Sequence, residues 1–339
     1  MPKQKRVLYC SDARHYYLFA MEPPMSDADA WRCVDDVAAT SVDTFVYMVE
    51  RGDGLFYPSK VGGQFGSDIQ PFEQAAYWRA WHNMKSLEAR GLDPLTVLVD
   101  RAHEKGLDFV ASVRLSSYLG LKKQQVADGS FALGPDSEVT GPSQLEGNLA
   151  QKSVRDHVTA VFRELITDYH VDGIEMDWAA APGGMPAPLR ADQLEEFGPV
   201  LTDWVAELSA LAKDAGVILG ARIFPTEAQC QEQGFAVREW IQRGLLDYVS
   251  PMMYGYFVQD PNLPLGWVVD ACIDTECSVY GWIQPFLQDF SGHGGAQDQY
   301  PLEMRLIYCP LICVGFSVLI CPCLSAKFTD CVVKQVSHS

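Results

Sequence analysis

Basic residues are scarce in this chain: 26 Lys and Arg stand against 44 Asp and Glu, a formal charge of −18. An acidic excess of that size repels nucleic acid, anionic membrane surfaces and polyanionic substrates, so a neutral ligand fits better. The sequence also has no Gly-rich phosphate loop after its first apolar run and no nucleotide fingerprint further on, which weakens the case for a doubly wound nucleotide-binding sheet. No secretory leader is expected either. The N-terminus begins basic, but Ser11, Asp12 and Arg14 cut its apolar run short of a signal peptide, and a cytoplasmic location is expected. A complete zinc-ligand set is not evident: Cys321-Pro-Cys323 is too tight for an ordinary zinc knuckle, and the His residues, His82, His103, His157 and His170 among them, are scattered singly. No metal and no cofactor is expected from this pattern, although a metal-dependent barrel hydrolase stays among the alternatives.

What is present is enough apolar residue, 48% of 339, to bury a large core in one α/β domain or two smaller ones. Hydrophobic runs predict strands at 7–10, 44–49, 108–113, 173–178, 217–224, 248–254 and 278–284. Helical spacing falls between them, at 26–39, 93–105, 153–169, 191–214, 235–243 and 267–275. Two long connections interrupt the alternation: 50–94, rich in aromatic residues, and 115–148. Helix-to-strand turns are short and alike, each placing an Asp just before a strand (Asp43, Asp108, Asp172, Asp247), whereas strand-to-helix connections are long and varied. That asymmetry is the mark of a (β/α)8 TIM barrel, with short turns on the stable floor and long loops building a site at the strands' C-terminal ends. Asp172 and Asp247 are then floor residues.

The domain is expected to span 1–305, and 306–339 to form an atypical tail. Residues 306–324 carry no charge but include Pro310 and Pro322, and half of the ten Cys (Cys309, Cys313, Cys321, Cys323, Cys331) crowd the last 34 positions. The other five, Cys10, Cys33, Cys230, Cys272 and Cys277, read as free thiols of a reducing compartment. Three readings of the tail compete: a C-terminal membrane anchor, a makeshift eighth strand around 314–320, or an aberrant terminus in place of the true eighth strand–helix unit. The incomplete or aberrant eighth unit is the expectation adopted.

Chemistry concentrates in Tyr169-His-Val-Asp-Gly-Ile-Glu-Met-Asp-Trp178. Glu175 and Asp177 are two residues apart on a strand and so share one face. Asp172-Gly-Ile-Glu-Met-Asp177-Trp178, together with Met252-Met-Tyr254, resembles the barrel glycoside hydrolases, most closely the glycoside-hydrolase-like family 10 proteins. The resemblance covers roughly 6–290. Its firmest pieces are Tyr-Pro-Ser-Lys60, Tyr-Trp-Arg-Ala-Trp81, Ala-Ala-Ala-Pro-Gly-Gly184, Ala-Arg-Ile-Phe-Pro-Thr-Glu227 and Tyr-Val-Ser-Pro-Met252. Strand four also resembles the chitinase-type motif Asp-Gly-x-Asp-x-Asp-x-Glu, but Ala179 stands where that family has its proton donor. Another large group of barrel glycosidases carries a Glu nucleophile at the end of strand seven; here the position is Gln284.

The resemblance implies hydrolysis of O-glycosidic bonds in a neutral oligosaccharide or polysaccharide, which needs one carboxylic acid and one carboxylate. Asp177, nearest the mouth, is the expected acid, with Glu175 one layer deeper. Glu175 has two readings. It tunes Asp177 by like-charge repulsion and burial, or it forms a buried ion pair with Arg222 or Arg114. Arg222, Arg114, Tyr254, Gln284 and Glu227 are candidate substrate-binding residues, and Trp178 and Trp282, with Tyr57, Trp78 and Trp81, are candidate sugar-stacking platforms. Glu50 is a further possible carboxylate, its ordinary state being an exposed loop residue. A catalytically silent carbohydrate-binding barrel and, if the tail is an anchor, a membrane protein are the alternatives.

Overall fold

Seven strands lie side by side and parallel, in the order in which the chain makes them. They are β1 (Val7–Asp12), β2 (Thr44–Glu50), β3 (Asp108–Arg114), β4 (Gly173–Asp177), β5 (Ile218–Ile223), β6 (Tyr248–Pro251) and β7 (Ser278–Val279). The computed structural model describes residues 6–12, 18, 20–50, 54–67, 70–72, 75–115, 149–179, 189, 191–252, 264–283 and 317–320. Helices cross between the strands: α1 (Asp27–Ala38), α2 (Ala75–Glu88), α3 (Pro94–Glu104), α4 (Lys152–Thr167), α5 (Leu194–Ala215), α6 (Glu227–Gln231), α7 (Val237–Gln242) and α8 (Gly266–Ala271). The expected α/β barrel with an incomplete eighth unit is what this chain forms.

Local chemistry sets the helix ends. Ser26 and Asp29 make a reciprocal capping box at the start of α1. Asp93 caps α3 through Leu95 and Thr96 N–H, with Pro94 in the first turn where no amide partner is needed. Two helices were not anticipated: α2, hidden in the aromatic-rich stretch 50–94, and the short α6, which Thr226 and Gln229 cap.

The Asp residues before the strands act as clips. Asp43 donates its N–H to Val7 O at 3.1 Å, and its carboxylate accepts Val7 N–H at 3.0 Å. Asp172 does the same with Phe109 (2.8 and 2.7 Å), and Asp247 with Leu219 (2.9 and 2.8 Å). Each clip satisfies an amide at the foot of the neighbouring strand, that of the first residue in β1 and of the second in β3 and β5. Asp108 instead pairs with Arg6.

Alternation along the strands divides the core. Tyr9, Phe45, Tyr47, Phe109, Ile174, Met176, Leu219 and Val249 pack outward with the helices. Leu8, Cys10, Val46, Met48, Val110, Tyr248, Met252, Tyr280 and Trp282 form a separate inner cluster. After Tyr280 the chain continues as β8 (Gly281–Ile283). β9 (Ser317–Ile320) then pairs antiparallel with both β1 and β8. The place of an eighth parallel strand is therefore taken by an antiparallel segment of the tail. Apart from β9 the tail, and with it the expected anchor at 306–324, lies outside the described residues. Among the described residues no helix is long and apolar enough to cross a membrane.

Candidate active site

Strand register brings the polar residues of the barrel interior into two rows. Arg114, Asp177, Arg222 and Ser250 stand side by side across β3 to β6. One layer nearer the floor, Ser112, Glu175, Gly220 and Tyr248 form the second row. Arg114 is 2% exposed, and Glu175, Asp177 and Arg222 are 0% exposed, so their charges are tolerable only if paired with one another.

Glu175 is locked. Its Oε1 accepts from Ser112 Oγ at 2.7 Å and Arg222 Nη2 at 2.7 Å, and its Oε2 accepts from Tyr248 Oη at 2.9 Å. Of the two readings of Glu175, the structure shows the ion pair with Arg222. Asp177 is held more loosely: Oδ2 lies 3.3 Å from Arg222 Nη1 and 3.5 Å from Arg114 Nε, and Oδ1 accepts Ala179 N–H at 3.2 Å. The two carboxylates do not face each other across open space, because one planar guanidinium contacts both. Formal charges of the two arginines and two acids cancel.

Arg222 is the hub. Beyond the two acids, Nη2 lies 3.1 Å from Cys10 Sγ and Nη1 3.5 Å from Met48 Sδ. Its guanidinium stacks 4.6 Å from the ring centre of Trp282, whose indole N–H donates to Ser250 Oγ. Burial pushes the Cys10 thiol up to about 12, against the pull of Arg222, so it stays neutral. Burial, reinforced by the Glu175 charge, also holds the Tyr248 phenol well above its ordinary value. Tyr248 is thus a donor across the physiological range.

Several expected ligand residues are placed elsewhere. Trp178 follows the inward Asp177 and so points outward; it is fully buried against Trp204, Phe235 and Trp240 at ring distances of 6.2, 4.7 and 5.7 Å. It is a core residue between β4 and the helices, not a sugar platform, for adjacent strand residues face opposite sides. Tyr57 is likewise core, donating to Glu164 at 3.1 Å and meeting Tyr169 edge-on. Trp282 keeps its inward place, one face covered by Arg222. Glu227 opens α6, and both its oxygens are bound by Arg238 at 2.8 Å; that bonding lowers its pKa. Glu50 is fully buried rather than exposed, beside Val113 after an irregularity in β2. Tyr254 and Gln284 lie outside the described residues. Among the described residues no three His, Cys, Asp or Glu side chains are grouped to hold a metal ion.

Sequence reasoning missed Ser112, Cys10 and Tyr248. The signal for Ser112 was its position two before Arg114. For Tyr248 it was Gly220: a Cβ there would lie 2.0–2.4 Å from the Tyr248 ring, so the glycine is the gap through which the tyrosine reaches Glu175.

No protein-family model matches the chain. Among curated proteins, the glycosyl hydrolase YngK of Bacillus subtilis is 23% identical over 260 residues, covering 66% of this chain and 48% of its own length. The glycosyl hydrolase DigH of Escherichia coli is 22% identical over 295 residues, covering 73% of this chain and 63% of its own length. The chain thus spans about half of the first relative and less than two thirds of the second. Among solved structures, a maltogenic alpha-amylase, AmyB, of Thermotoga neapolitana matches at 11% identity and a TM-score of 0.47, covering 81% of this chain and 58% of that one. The barrel and the two sequence relatives point to the glycoside-hydrolase-like barrel superfamily.

Proposed function

We propose that this chain hydrolyses O-glycosidic bonds of a neutral oligosaccharide or polysaccharide, in the manner of the glycoside-hydrolase-like family 10 proteins, with Asp177 at the reaction centre. The observation that carries this reading is the placement of Asp177 on the inner wall of a barrel, at the C-terminal end of β4, between Arg114 and Arg222. Among the described residues, every hydrogen-bonding or ionic partner of the Asp177 carboxylate is a donor. A carboxylate so surrounded accepts and does not give, which suits the nucleophile or charge-stabilising role better than the proton-donor role that its position near the mouth implies. Glu175 supports the centre from the layer beneath, through Arg222. The glycosyl hydrolase names of the two relatives and the net charge of −18, which disfavours polyanions, support the substrate class.

Asp177→Asn in the full chain tests the reading. Wild type is expected to release the phenol from at least one member of a panel of neutral aryl glycosides, and the variant to lose that turnover; equal turnover by both would sink it. A second reading, a barrel that binds neutral glycan without cleaving it, is favoured by one observation: both strand-four carboxylates are ion-paired to arginines. Binding of glycans by a wild type that cleaves none would decide for it.

A further inference from the structure

Tyr248 is a buried polar side chain of the inner wall to which the proposed reaction gives no part. Its ring crosses the strand beside it at Gly220, where no side chain stands in the way, and its hydroxyl ends 2.9 Å from Glu175 Oε2. Three contacts then run in series: Tyr248 Oη to Glu175 Oε2, Glu175 Oε1 to Arg222 Nη2 at 2.7 Å, and Arg222 Nη1 to Asp177 Oδ2 at 3.3 Å.

We propose that Tyr248 is a positioning residue for Asp177, acting through Glu175 and Arg222, with Gly220 as the opening that admits it. This rests on the reading of Asp177 as the reacting carboxylate. A carboxylate can offer an arginine both oxygens at once, and the two-pronged pair is its preferred geometry. In this site Tyr248 occupies Oε2, so only Oε1 is left for Arg222, and Ser112 shares that oxygen. The guanidinium is planar and rigid, so holding Nη2 at Glu175 Oε1 directs Nη1 to the layer above, where Asp177 lies. Trp282, stacked on the guanidinium face, keeps that plane from turning. Without the tyrosine hydroxyl, Glu175 Oε2 becomes a buried acceptor lacking that donor, and Arg222, already on Oε1, is the cation beside it able to satisfy it. Arg222 then closes on Glu175 with both Nη atoms and leaves Asp177 to Arg114.

Tyr248→Phe removes the hydroxyl and keeps the ring over Gly220. Two measurements on the full chain test the proposal, and they fail separately. The first is the nitrogen-15 resonances of the Arg222 side chain, assigned through Arg222→Lys. The expected result is a change of both Nη signals in Tyr248→Phe; unchanged signals overturn the relay whatever the enzyme does. The second is turnover of the aryl glycoside that wild type cleaves. A fall in kcat of about 10-fold or more with KM within about twofold marks an effect made in the transition state, as a positioning role requires. Wild-type kcat in a folded Tyr248→Phe protein overturns the positioning role. Wild type inert on every glycoside overturns the hydrolase reading and the positioning role with it, while the arginine resonances still report on the relay alone. Glu175→Gln, which keeps the shape and removes the charge, is the second variant: it is expected to shift the same Arg222 signals, and their constancy counts against the relay.

Discussion

Arg222 reaches Glu175 and Asp177 with the two arms of a single guanidinium, at 2.7 and 3.3 Å, and all three side chains are closed off from solvent. The shorter contact is the structural one. Removing Glu175 leaves a buried cation whose remaining acidic partner in the cluster, Asp177, is already shared with Arg114. Glu175→Ala is therefore expected to lower unfolding free energy by about 3–5 kcal/mol, the usual cost of stranding one member of a buried pair. Urea denaturation measures it. Glu175→Ala combined with Arg222→Met is expected to cost less than the sum of the two single changes, because the second removes the charge the first stranded. A Glu175→Ala cost below about 1 kcal/mol is what a surface pair shows, and it counts against this account.

Patterning made the barrel legible: short apolar runs and stretches of helical spacing alternated, and the turns before the strands repeated their Asp. Alternation also carried Glu175 and Asp177 to one face, and an arginine between Ala221 and Ile223 had nowhere apolar to go but inward. The same rule, applied one residue further, places Trp178 on the opposite face, among Trp204, Phe235 and Trp240. Tyr248 was hidden for a different reason. Its role depends on which residue of β5 lies beside it, and cross-strand register is a property of the assembled sheet rather than of either segment. β9 was legible only as one of three readings of the tail, a makeshift strand around 314–320: its pairing with β1 spans most of the chain, and local composition, uncharged and Cys-rich, favoured an aberrant terminus.

Gly220 and Tyr248 compete for one space. Gly220→Ala places a methyl 2.0–2.4 Å from the tyrosine ring, so the ring must leave Glu175 or the strands must part. A loss of about 1–3 kcal/mol is expected, as for other overpacked sites. In a Tyr248→Ala background the same substitution is expected to cost less than about 0.5 kcal/mol beyond the background, for want of a collision partner. Thermal unfolding of the four proteins gives the comparison, and an equal cost in both backgrounds contradicts the steric origin.

Buried thiols predict a decline in stability on the alkaline side. Burial pushes Cys10 and Cys230 up to about 12 and raises Cys33 as well. In the folded chain these groups keep their protons above pH 9, whereas the unfolded chain releases them from about pH 8.5. The stability tied to the neutral thiols is therefore fully present below the unfolded value and is lost as pH rises toward 12. Denaturant midpoints are expected to fall between pH 8 and pH 10.5. The double variant Cys33→Ala, Cys230→Ala is expected to fall less steeply. Parallel slopes for the two proteins contradict the assignment to thiols.

His170 stands in the turn before β4 with φ of 54°, in the left-handed region, where the turns before β3 and β6 have Gly106 at 76° and Gly244 at 64°. All three precede an Asp at the foot of a strand by two or three residues, so the backbone demand is the same and the side chain is the difference. A side chain with a Cβ is strained there by about 1 kcal/mol relative to glycine. The imidazole is exposed, so its removal leaves no cavity. Relief of strain opposes the greater freedom that glycine brings to the unfolded chain, and at a left-handed position the strain term is the larger. His170→Gly is expected to stabilise the protein by about 0.5–1 kcal/mol, while Gly106→Ala and Gly244→Ala are expected to destabilise it by a similar amount. Urea midpoints for the three variants decide it: destabilisation by His170→Gly means that the turn is held by something other than its backbone conformation.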